Sequence, residues 1–126
     1  MNWEGITIHH SASPDVSANE IDRWHKERGW KGIGYHFVIR KNGAIELGRN
    51  INSVGAHNRG KNGSHIGICA TGHFGKEPPS IEQIDSIIRL CKGICNKYNI
   101  KDISGHHDNC PGLFFPLKFT IKNIKE

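Results

Sequence analysis

The sequence predicts a single α/β domain built on a central mixed β-sheet flanked by helices. Two observations carry this. Short β-branched stretches alternate with two amphipathic stretches, the pattern of helices layered on a sheet. Asn42-Gly43 separates two further strand-like segments; Asn-Gly is a strong hairpin signal and adds an antiparallel pair. There is no internal repeat and no linker, and 126 residues suit one domain spanning 1–126.

Gly5–His10 is short and β-branched and stops before Ser11 and Pro14, so it reads as a first strand. Ser17-Ala18-Asn19-Glu20 fits a capping box, with Ile21, Trp24 and Arg28 on one face of the helix it opens and Gly29 at its stop. Tyr35–Arg40 reads as a second strand, Lys41-Asn42-Gly43 as a turn and Ala44–Leu47 as the return strand. The Gly- and Asn-rich stretch Asn50–Ser64 reads as a surface loop, and His65–Ala70 as a buried strand. Ser80-Ile81-Glu82-Gln83 repeats the capping-box pattern before a long helix with apolar Ile84, Ile87, Ile88, Cys91, Ile94, Cys95 and Tyr98. Ile103-Ser104-Gly105 is a last short strand. The aromatic tail Leu113–Phe119 is expected to pack on the body.

Composition narrows the function. With 15 glycines counted beside the 36% hydrophobic residues, the chain has an ordinary globular make-up. No apolar run approaches the roughly 20 residues of a membrane span. The N-terminus has neither a basic nor an apolar leader region, so no signal peptide is expected and the protein is expected to be made in the cytoplasm. A net charge of +5 favours an anionic partner. Nucleic acid is not expected, because the lysines are scattered and form no basic stripe.

Four cysteines without a signal peptide do not suggest disulfides, and Cys69, Cys91 and Cys95 read as small core residues. Cys110 differs. It lies in the polar segment Gly105-His106-His107-Asp108-Asn109-Cys110-Pro111-Gly112, directly after a strand. Imidazole and thiolate are preferred zinc ligands. His9-His10 ends the first strand, and two such strand ends side by side would supply three ligands and leave a fourth position open, the catalytic zinc pattern. Successive strand residues face opposite sides, so only one of His9 and His10 can point at the metal.

These blocks, with Trp24-His25-Lys26-Glu27-Arg28-Gly29-Trp30 and Gly34-Tyr35-His36-Phe37-Val38-Ile39 between them, resemble the type-2 zinc-dependent N-acetylmuramoyl-L-alanine amidases, a family that includes amidase-type phage lysozymes and peptidoglycan recognition proteins. The likeness runs from about residue 5 to 117, with Gly55-Ala56-His57 and Ile66-Gly67-Ile68 as weaker matches. The resemblance implies a zinc ion (Zn2+) in a surface cleft, held by His9, His106 and Cys110, with Tyr35 beside the reacting water. It puts His57 near the cleft wall as a candidate substrate contact and His36 on the other side of its strand in a structural role; His25, on a helix, reads as a packing or surface residue and not a ligand. It implies hydrolysis of the amide between N-acetylmuramic acid and L-alanine in bacterial peptidoglycan, by an endolysin or autolysin that reaches the wall by a separate route; the single small domain, for its part, suits a monomer. A non-cleaving muropeptide-recognition module is the second reading. The chain departs from the family pattern in one loop: only four positions separate His106 from Cys110, and Asp108 stands where the phage enzymes carry a lysine. His107, Asn109 and Lys118 are the candidate replacement donors.

Overall fold

β-Branched residues and isoleucines form the strands and Ser-capped amphipathic segments form the helices in the computed structural model, which describes residues 1–126. In chain order the elements are β1 (Gly5–His10), α1 (Ala18–Glu27), β2 (Phe37–Ile39), β3 (Ile45–Leu47), β4 (His65–Ala70), α2 (Ile81–Tyr98), β5 (Asp102–Gly105) and α3 (Leu117–Lys125). The sheet order is β3-β2-β4-β1-β5. β1 pairs in parallel with β4 and β5, β4 pairs in parallel with β2, and only the β2–β3 hairpin is antiparallel. In the hairpin loop Gly43 takes φ +90° and donates its N–H to the carbonyl of Arg40, a left-handed conformation that glycine adopts without a steric penalty.

The two faces of the sheet differ. Ile6, Ile8, Ile66 and Ile68 point to the face covered by α2 and α3, where they join Ile87, Cys91, Ile94 and Ile124 in the main core. The opposite face carries a small apolar cluster, Ala18, Ile21, Ile33, Val38 and Cys69, under α1. Beside it lie buried polar groups: Thr7, His9, His36, His57 and His65. All four cysteines are free.

Four expectations are corrected. The predicted strand Tyr35–Arg40 is regular only over Phe37–Ile39, because Tyr35 and His36 accept hydrogen bonds from Arg49 and Gly48 in an irregular continuation of the hairpin. The buried face of α1 uses Ala18, Ile21 and His25 rather than Arg28. Only half of its capping box forms: Ser17 Oγ accepts from the Glu20 N–H, while the Glu20 carboxylate pairs with Arg23. The tail contains a helix, α3, where only packing was expected. Its N-cap is Pro116, with no side-chain cap bond, so the usual start signal is missing. Phe115 is buried there, whereas Leu113, Phe114 and Phe119 are exposed.

The box opening α2 is complete and reaches further than capping. Gln83 accepts from the Ser80 N–H through Oε1, and its buried Nε2 donates to the carbonyls of Ile39 and Thr71. It thereby ties α2 to the ends of β2 and β4. Truncation leaves the Thr71 carbonyl without a donor and opens a cavity, a combined loss of about 2–3 kcal/mol. Gln83→Ala is therefore predicted to lower unfolding free energy by about that amount in urea titration, whereas the exposed Glu82→Ala stays within about 0.5 kcal/mol.

Several histidines act as neutral structural groups. His36 Nε2 donates to the Ser53 carbonyl and its Nδ1 accepts from the Gly67 N–H. His25 Nδ1 accepts from the Gly34 N–H. Burial, reinforced by Arg28 and Arg49, pulls the His25 pKa down to about 4. Burial likewise lowers that of His36. Unfolded, each titrates near 6.5, so the unfolded chain binds more protons between those values. The stability these residues contribute is fully present above pH 6.5 or so and is lost as pH falls toward the folded value. The urea midpoint of the metal-free protein is predicted to drop between pH 7 and pH 4.5, and His25→Gln, which keeps an acceptor for Gly34, to flatten part of that drop. A flat profile contradicts this assignment.

Candidate metal centre

Parallel pairing sets Ile8 opposite Gly105, so His9 and His106 leave the same end of the sheet side by side. Their ring centroids are 4.7 Å apart. A tight turn then brings Cys110 back: His107 and Cys110 exchange two backbone hydrogen bonds of 2.9 Å each. The ligand atoms of His9, His106 and Cys110 all lie within 4.8 Å of one another. His9 Nδ1 is 3.6 Å from Cys110 Sγ. Tetrahedral zinc, with Zn–N near 2.05 Å and Zn–S near 2.3 Å, separates such a nitrogen and sulfur by about 3.6 Å. The donor set and its spacing therefore fit the ion.

The electrostatics suit a cation. His9 is 1% exposed and Cys110 7%. Burial, then the neighbouring histidines His57 and His106, holds the His9 pKa well below the ordinary value. Burial and His107 lower that of His106. Both rings therefore stand neutral, the form that ligates. Burial raises the Cys110 thiol, while the backbone N–H of His10 favours its thiolate. A divalent cation would displace that thiol proton.

The three residues sit on the floor of an open cleft of about 560 Å³. Tyr35 and His57 line it, with Arg28, Trp30, Asn58, Arg59 and Asn62 around them. The Tyr35 ring lies 5.0 Å from the His9 ring. Burial, with Cys69 and Cys110 nearby, raises the Tyr35 pKa, so its hydroxyl remains a donor. His10 turns away: its Nδ1 accepts from the Phe74 N–H on the other side of the strand. His57 is buried, and burial holds its pKa down to about 4. His107 and Asn109 line the cleft, whereas Lys118 opens onto a neighbouring hollow with Asp108 and Phe119.

The sequence reading missed Asn58, Arg59 and Asn62. Asn62 Oδ1 accepts from the N–H groups of both His57 and Asn58, at 2.7 and 2.8 Å, which fixes the loop segment bearing His57. The only sequence signal was the Asn/Gly richness of that loop. A side chain hydrogen-bonding to nearby backbone is a common use of Asn in such loops.

The family description "N-acetylmuramoyl-L-alanine amidase" matches residues 1–113. The endolysin of Enterobacteria phage T3 is 38% identical over 116 residues, covering 86% of this chain and 77% of the phage protein. The solved structure of the N-acetylmuramoyl-L-alanine amidase LysC from Clostridium intestinale URNW superposes with a TM-score of 0.95 at 40% identity, covering 99% of this chain and 87% of that one. Wild-type Drosophila PGRP-LB superposes with a TM-score of 0.77 at 30% identity, covering 89% and 78% of the two chains. The chain belongs to the N-acetylmuramoyl-L-alanine amidase family.

Proposed function

We propose that this chain is an endolysin-type amidase that hydrolyses the amide between N-acetylmuramic acid and L-alanine in bacterial peptidoglycan, using zinc held by His9, His106 and Cys110. The observation that carries the reading is the convergence of those three ligand atoms within 4.8 Å at the base of an open cleft. When bound, zinc supplies Lewis acidity, which acidifies water and polarises a carbonyl.

The chain's own residues supply the rest. Three protein ligands leave one tetrahedral position for water or substrate. Tyr35, kept protonated by burial, donates to the oxygen on which negative charge develops during attack on the amide. His107 and Asn109 are the polar groups of the shortened loop that border the cleft, and they stand in for the absent loop lysine. Arg28 and Arg59 give the rim positive charge, which attracts anionic wall material. His57 contributes a ring edge to the wall and meets substrate by contact, because both its nitrogens are engaged inside the protein. No helix is long and apolar enough to cross a membrane.

The second reading, muropeptide binding without cleavage, draws on the missing loop lysine. Incubation with purified sacculi separates the two. The amidase reading predicts new N-terminal alanine, release abolished by a chelator and restored by zinc, and loss of both zinc and activity in Cys110→Ser. Tyr35→Phe is predicted to keep its zinc and lose about 10²–10³-fold in turnover, the usual cost of removing one oxyanion donor. Tight wall binding without any alanine release would favour the recognition module.

A further inference from the structure

We infer that His57 is a positioning residue that fixes the tautomer of His9, so that His9 meets the metal through Nδ1. The inference deepens the proposed function and rests on its reading of His9 as a ligand.

Hydrogen-bond logic determines each proton in turn. His57 Nε2 lies 2.9 Å from the carbonyl oxygen of His65. A carbonyl only accepts, so that nitrogen carries the hydrogen. A neutral imidazole has one N–H, which leaves His57 Nδ1 as an acceptor. It stands 2.9 Å from His9 Nε2, which therefore donates. The remaining nitrogen of His9, Nδ1, is left bare, and it is the one 3.6 Å from Cys110 Sγ. The other His9 tautomer would aim an N–H at the ligand position and oppose two lone pairs across the 2.9 Å contact with His57.

The His57 ring is itself held. A Cβ at Gly67 would fall 2.6 Å from its Cγ and Cδ2, so the β4 backbone leaves room for the ring only because that residue is glycine. Asn62 fixes the His57 backbone from the other side. Metal-ligating histidines commonly donate their second N–H to a carboxylate, a carbonyl or water. Here a second imidazole takes that role and passes the restraint on to a strand carbonyl. His57 thus acts through His9 and touches no reacting atom.

The test is nitrogen-15 NMR of the wild-type protein through two-bond histidine correlations, combined with zinc affinity measured by chelator competition. Metal-free wild type is predicted to show His9 protonated on Nε2 with a bare Nδ1. On zinc loading the Nδ1 resonance shifts and the Nε2 hydrogen remains. His57→Leu, which keeps bulk but offers no acceptor, is predicted to mix the His9 tautomers and weaken zinc binding about 10–100-fold. His57→Asn, which returns an oxygen acceptor near the Nδ1 position, is predicted to recover most of that loss. Zinc-binding wild type with the hydrogen of His9 on Nδ1, or His57→Leu that binds zinc as tightly as wild type, overturns the inference alone. Wild type that binds no zinc overturns the ligand reading beneath it. Should His57→Leu fail to fold, the wild-type spectrum decides by itself.

Discussion

The parallel pairing of β1 with β5 brings together groups almost a hundred residues apart. Register puts Ile8 opposite Gly105, and the next residue on each strand is a histidine. Parallel strands end at the same edge of a sheet, so both rings emerge there without a special loop. Cys110 needs only the short His107–Cys110 turn to return to that edge. A one-residue slip would turn His9 to the core face and bring His10 to the cleft. The register is set by Ile6, Ile8 and Ile103, all in the main core. Packing on one face therefore determines the chemistry on the other.

This division of labour runs through the molecule. The α2–α3 face buries a continuous set of isoleucines. The opposite face gives up part of its apolar area to buried histidines and Thr7, and each buried side-chain polar atom there has a hydrogen-bond partner. Thr7 and Asp102 bracket His65, for example, at 2.9 and 3.1 Å. Such groups cost little when fully satisfied and would be expensive if left unpaired. They also hold ring orientations that an apolar filling would leave undefined.

Much of this was legible in the sequence. The limits of β1 and β4 coincide with β-branched runs, and the α2 start with its Ser80 box. Local chemistry wrote those signals. Alternation along β1 required that His9 and His10 part, and family motifs suggested which of them turns inward. Features that depend on distant partners were less legible. α3 opens on Pro116 without a cap and stands on α2 through residues such as Ile124. His25 reads from the sequence as either a packing or a surface residue of its helix, and the Gly34 N–H and the Trp30 ring, 4.6 Å away, decide for burial. Asn62 gives no periodic signal, since its role is to accept two backbone N–H groups within one turn.

The central claim is a single mononuclear centre made from two imidazoles and one thiolate, with one position left for the reaction. X-ray absorption at the zinc edge of the stoichiometrically loaded protein tests it most directly. The claim predicts one sulfur at about 2.3 Å, two imidazole nitrogens at about 2.0–2.1 Å and one light oxygen scatterer. A spectrum with no sulfur, or with four protein ligands closing the shell, would contradict it.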